Sequence, residues 1–263
     1  MKKILSSATA FIVSIVVCGS VFAQQKLSPV MTGTISGKIA EKGKGPLKGG
    51  MVLFFSEKSG PPPSATRYWR VPSHAFSIDD KGSFKAVLPE GHYYMGATQK
   101  SSGEQLGPPE DGDLFFISQD KNGEPKLHTV KGNKNLDMGV IAEAKPFSSK
   151  TLVTEGITSI QGTITDEKGK PVAGMLVFAF PTPTMFGRPL FVSERTDKNG
   201  NYLLRLSGGG KYYLSSRANY GGGPPTAEQN IGSYAKGQPV SIQTGETVKG
   251  INITVSTPGF SGK

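Results

Sequence analysis

The chain is short of the residues that most chemistry needs. It has one cysteine, Cys18, and three histidines, His74, His92 and His128. That count excludes a disulfide framework, a cysteine-based zinc site and a haem attached through CxxCH. No two histidines fall in an HxH or HExxH spacing. Apolar residues make up only 36% of 263 residues, with a single tryptophan. Beyond the N-terminus no apolar run is long enough to span a bilayer. The net charge is +10, but Lys and Arg are interspersed with Asp and Glu. No basic run reaches the length of a nucleic-acid or heparin patch.

What is plentiful is glycine and proline, 35 and 19 of them, with 14 Phe and 8 Tyr. Such chains place many turns between short strands, which argues against a helix bundle.

The N-terminus reads as a secretory signal. Lys2 and Lys3 are followed by an apolar core from Ala8 to Cys18, then by Val21, Phe22 and Ala23 at cleavage positions. Cleavage after Ala23 leaves 240 residues and lowers the net charge to +8. A lipoprotein signal needs a small residue just before Cys18, where Val17 stands. An uncleaved anchor is the other alternative, since Ile4 to Ala23 carries no charge. The expected destination is the periplasm or the extracellular space.

An internal repeat organises the rest. Ile35, Gly37 and Ile39 recur as Ile160, Gly162 and Ile164. At the same offset of 125, Pro46, Gly49, Val52 and Phe55 recur as Pro171, Gly174, Val177 and Phe180. Further on, Asp79, Gly82 and Phe84 match Asp197, Gly200 and Tyr202, and Tyr93-Tyr94 matches Tyr212-Tyr213. Gly107-Pro108-Pro109 matches Gly223-Pro224-Pro225, and Gly123 and Pro125 match Gly237 and Pro239. The first copy is longer, mostly in the loop after Phe55 that carries Gly60 and Pro61 to Pro63. The expected layout is a signal at 1–23, a domain at 30–145, a linker at 146–156, a second domain at 157–257 and a flexible tail at 258–263.

Both copies read as strands. Ile160, Gly162 and Ile164 alternate, as do Tyr202, Leu204 and Leu206. Met175 to Phe180 is a continuous apolar run, which suits a more fully buried strand. The stretches from Asp166 to Lys170 and from Asp197 to Asn201 are turns, with Gly169 and Gly200 at the tips. About seven short strands per copy is the pattern of a β-sandwich.

The stretch Gly162-Thr-Ile-Thr-Asp166-Glu-Lys-Gly169-Lys-Pro171-Val-Ala-Gly174-Met-Leu-Val177 resembles the opening of a carboxypeptidase regulatory-like domain. Thr196 to Tyr202 and Gly210 to Leu214 continue that pattern. The first copy departs from it, with Ala40-Glu41 in place of Thr-Asp and a shifted step at Gly43 to Pro46. The resemblance implies an all-β chain: two tandem transthyretin-like (Ig-like) β-sandwich domains after a cleaved signal peptide. It also implies a non-catalytic module of folding, spacing or binding.

Enzymatic sites on similar sandwiches lack their residues here. The second copy has no histidine for a dioxygenase-like iron site, and the C-terminus lacks the Tyr-Arg-Gly-Ser of a hydroxyisourate hydrolase. The strand glutamate that promotes pilin isopeptide bonds is missing in both copies. Asp197, Asn199 and Asn201 begin like a calcium loop, but Gly200 falls at position four rather than six. No enzyme, metal or cofactor is therefore expected.

Two candidate binding features remain. Tyr68 and Trp69, flanked by Arg67 and Arg70, form an aromatic pair of the kind that stacks on sugars. A strand also needs one of two neighbours to face inward, and a core role for Trp69 is the simpler reading. The Gly-Pro-Pro loops, with Pro108 and Pro109 in one copy and Tyr220, Pro224 and Pro225 in the other, form a stiff rim able to present an aromatic. The expected partner is an envelope or extracellular protein, met at strand edges or end loops. A polysaccharide is the alternative, and no nucleic acid is expected.

Overall fold

A computed structural model describes residues 30–185, 187–221 and 230–257. The expected signal peptide, Pro224, Pro225 and the tail lie outside them. Every regular element among the described residues is a strand or a single 3-10 turn.

The first half holds β1 (Thr32–Glu41), β2 (Met51–Ser56), β3 (Trp69–Arg70), β4 (His74–Ser77), β5 (Ser83–Pro89), β6 (Gly91–Gln99), β7 (Leu114–Ile117), β8 (Leu127–Val130) and β9 (Asn135–Pro146). All but β3 join one sheet in the order β4-β2-β6-β7-β9-β1-β5, with β8 also on β6. Ile35 and Ile39 from β1, Phe54 from β2, Leu88 from β5 and Met95 from β6 meet in one core.

The second half holds β10 (Thr158–Asp166), β11 (Leu176–Phe180), β12 (Phe191–Val192), β13 (Asn201–Leu206), β14 (Gly210–Arg217), β15 (Ile231–Ser233), β16 (Val240–Ile242), β17 (Thr247–Val248) and β18 (Ile253–Val255). One sheet runs β13-β10-β17 with β18 on β10, and the other β15-β14-β11-β12-β3 with β16 on β14. Their shared core includes Ile160, Ile164, Leu204 and Leu214. Each half thus has nine strands, two more than expected. The surplus consists of short pieces such as β3, whose pairing partner β12 is distant in sequence.

The repeated motif residues do the same local work in both halves. The amide of Ile39 donates to Gly82 O and that of Ile164 to Gly200 O, each at 2.8 Å. The Asp79 carboxylate accepts from the amides of Lys81 and Ser83, and Asp197 accepts from those of Asn199 and Asn201. Gly82 and Gly200 have φ of 77° and 75°, a region that favours glycine. A Cβ at Gly200 would also lie 2.4 Å from Ile164 O. Asp197 therefore spends its carboxylate on its own turn.

Gly162 answers a different need. A Cβ there would sit 1.9 Å from Ile251 O, which also accepts the Tyr202 hydroxyl at 2.6 Å. Gly162→Ala is expected to cost about 1–3 kcal/mol by overpacking. Urea unfolding followed by circular dichroism measures it. An unchanged midpoint would show that the Ile251 segment can give way.

β2 and β11 are buried along their whole apolar length. Alternate residues point to opposite sides of a sheet. Val52 and Phe54 enter the first core, and Val177 and Ala179 enter the second. Met51, Leu53 and Phe55 instead meet Leu176, Phe178 and Phe180 in a third core, completed by Trp69, Phe115, Phe147 and Val192. The described residues from Met31 onward make one compact unit. The segment expected to be a linker is held within it. Phe147 is buried in the third core, and Val153 N donates to Thr66 O at 3.1 Å.

Candidate functional site

The long loop after β2 is a strap. It leaves the first sheet at Ser56 and delivers β3 to β12, with Trp69 opposite Val192 and Arg70 opposite Phe191. Arg70 holds its near end. The guanidinium is buried, donates to the carbonyls of Pro61 and Ser56 and to Ser59 Oγ, and lies over the Phe55 ring. Desolvation lowers its pKa to about 10, so it keeps its charge at neutral pH.

Tyr68 and Trp69 face opposite ways, as strand neighbours must. Tyr68 packs edge-on to Phe191, 5.5 Å between ring centres, and its hydroxyl donates to Pro62 O at 2.7 Å. Burial raises its pKa against the opposing charges of Arg70 and Arg67. Trp69 is only 4% exposed, with Phe147 and Phe115 edge-on at 5.6 and 6.3 Å. Its Nε1 donates to Glu194 Oε1 at 3.2 Å, and Glu194 also takes Arg205 Nε at 3.2 Å. No sugar ring reaches Trp69, whose surface is taken up by aromatic packing. The stacking role that the sequence offered for Trp69 gives way to a core role.

The first Gly-Pro-Pro is likewise interior. Pro108 and Pro109 are buried, and Pro108 O accepts from Lys100 Nζ at 2.7 Å. Lys100 Nζ sits 2.5 Å from Asp113 Oδ2, with neither side chain exposed. Asp113 also accepts from Ser101 N, Ser101 Oγ and Glu110 N at 2.7, 2.9 and 2.8 Å. Burial would raise the Asp113 pKa, but Lys100 and these donors outweigh it and hold the carboxyl below its usual range. This ion pair, which the sequence reading missed, fixes the loop.

Trp69, Pro108, Pro109 and Tyr220 are brought together around a small cavity of about 30 Å³. Tyr68 is not among its lining residues. Tyr220 also lines a second, larger cleft of about 840 Å³ between β4 and β11. Its ring lies 5.9 Å from Phe178, and burial pushes its hydroxyl pKa up despite the nearby Arg188. The cleft has Phe178, Phe180 and Met185 in its wall, with Arg188, Arg217, His74 and Tyr220 as its charged or titratable members.

The three histidines occupy three different surroundings. His74 borders the cleft, where burial and then Arg188 lower its pKa. His92 is exposed and bonds Thr129 Oγ1 at 3.1 Å. His128 is buried and bonds Ser118 Oγ at 3.3 Å. No three His, Cys, Asp or Glu among the described residues are placed to hold a metal.

Burial, followed by the charge of Lys126, puts the His128 pKa below 6.5. In the window just below 6.5 the folded chain therefore binds fewer protons than the unfolded one, and stability falls as pH falls. His128→Gln is expected to flatten part of that slope in urea titrations at successive pH values. An unaltered slope would assign it to other groups.

No family model matches the chain, and no curated protein matches it. Similar solved structures include the TIE protein of Bacillus anthracis, 14% identical with a TM-score of 0.28 over 86% of this chain. A streptococcal ancillary pilin is 14% identical with a TM-score of 0.25 over 87%. A DUF3823 family protein from Bacteroides uniformis is 13% identical with a TM-score of 0.26, covering 81% of this chain and 99% of that one. The chain spans 34% of the TIE protein and 64% of the pilin. No helix among the described residues is long and apolar enough to cross a membrane.

Proposed function

We propose that the protein is a non-catalytic, exported accessory or structural protein of the envelope or extracellular space, working through protein–protein contacts. On this reading residues 1–23 are an export signal, and two tandem copies of one carboxypeptidase regulatory-like sandwich follow. The observation that supports contact by strand addition is the edge at β5. It ends its sheet, and among the described residues no strand pairs its outer side. Val87 on β5 is 52% exposed, and Val140, two strands away on β9, is 67% exposed. An open edge with an apolar side chain is a template for a partner strand. Tyr68, Trp69 and Tyr220 pack against neighbouring aromatics and give a polysaccharide no comparable platform.

A photo-crosslinking residue at position 87, expressed in the native cell, tests this reading. A discrete adduct is expected from position 87 and none from position 198, in a turn of the second half. Absence of any adduct from positions 85 and 87 would sink the β5 contact.

A further inference from the structure

The 840 Å³ cleft has the size of a small-molecule site, which typically falls at roughly 300–1,000 Å³. Its wall is apolar at Phe178, Phe180 and Met185, and no carboxylate lines it among the described residues. Two guanidinium groups do. Elsewhere Arg195 meets Glu104 at 2.5 Å and Arg205 meets Glu194 at 3.2 Å, while the buried Arg70 is satisfied by two carbonyls and a hydroxyl. Arg188 and Arg217 have no such ion pair among the described residues. Arg217 lies over the Phe178 ring and, among the described residues, donates to Gly221 O at 3.2 Å. Arg188 is partly desolvated, which lowers its pKa. Both guanidinium groups thus border an apolar cleft with no carboxylate among its described lining residues, which leaves their charge open to a bound anion.

We propose that the cleft binds one small amphipathic anion: a carboxylate or similar acid group held by Arg188 and Arg217, on an apolar or aromatic body packed against Phe178, Phe180 and Met185. The arginine forks give planar, charge-assisted hydrogen bonds to the acid group. The apolar wall supplies the burial. This site stands independently of the β5 contact, because it uses none of the same residues.

The probe is anilinonaphthalene sulfonate, an anion on an aromatic body, titrated into the folded full-length chain. Saturable binding of one dye per chain is expected. Arg188→Gln and Arg217→Gln should each weaken it about tenfold, the effect of losing roughly 1.4 kcal/mol. Arg217→Lys, which keeps the charge but loses the fork, should bind more tightly than Arg217→Gln and less tightly than the parent. Arg67→Gln, an exposed arginine outside the cleft, should leave it unchanged. Phenylnaphthylamine, the same rings without the sulfonate, should bind the arginine variants and the parent alike. Melting curves confirm that each variant is folded. No saturable binding, or an affinity unchanged in both glutamine variants, would overturn the site. Equal losses for the charged and uncharged dyes would overturn the role of the arginines.

Discussion

Trp69→Ala is expected to cost about 3–5 kcal/mol, the usual loss for removing a large buried aromatic. Trp69 sits at the centre of the third core, where the two halves meet. Its backbone pairs with Val192, its ring packs on Phe115 and Phe147, and its indole N–H reaches Glu194. The loss should therefore appear as a change in cooperativity as well as in midpoint. In the parent, tryptophan fluorescence and circular dichroism should report one coincident urea transition. As the chain has a single tryptophan, that fluorescence reads the third core alone. In the alanine variant, circular dichroism should show two steps, because the first and second cores remain intact. A single circular-dichroism transition in the alanine variant, shifted by less than about 1 kcal/mol, the effect of an ordinary surface change, would show that the third core does not couple the halves.

Asp113→Ala should be comparably damaging. Removing one partner of a buried ion pair costs about 3–5 kcal/mol, because the other charge stays behind in the interior. Here the group left behind is the fully buried Lys100 ammonium, whose remaining counter-charge is the half-exposed Glu110 at 3.8 Å. Asp113→Asn separates charge from shape, since its amide oxygen still accepts from Ser101 or Glu110. Adding Lys100→Met to Asp113→Asn should recover part of the loss, although a residue has been removed rather than restored. The proton linkage gives a second readout. The Asp113 pKa is depressed in the folded state, so its stabilising contribution is full above 3.8 and is lost as pH falls below that value. The acid limb of the stability profile should be shallower in Asp113→Asn. If the double variant is no more stable than Asp113→Asn alone, the ammonium is not the source of the penalty.

Much of the backbone design can be read from the residues. Asp197 and Gly200 announce a turn: Asp197 closes it through the amides of Asn199 and Asn201, and Gly200 is needed where a side chain would meet Ile164 O. The unbroken apolar run ending at Phe180 announced a strand buried on both faces, and β11 is one. What covers the second face was not legible. Nothing local to Leu176 or Phe178 names Met51, Leu53 or Phe55 as neighbours, because sheet-on-sheet packing depends on how the halves are oriented. The strap was visible only as surplus length after Phe55. Its pairing with Phe191 and Val192 rests on two residues per strand, too few to form a pattern. Arg188 and Arg217 were missed for the opposite reason. In a chain with 30 basic residues, an arginine without a partner is distinguished only by where it lies.

The pairing of β3 with β12 also sets an order of events during synthesis. Position 69 leaves the ribosome long before position 192, its partner. At roughly 5–20 residues per second, the delay is roughly 6–25 s. During that interval the first core can close, but the outward row of Met51, Leu53 and Phe55 has nothing to cover it. The nascent chain therefore passes through a stage in which a finished sheet shows an apolar face to the solvent. That stage is where a chaperone has most to protect, and where a slow or truncated translation product is most prone to aggregate.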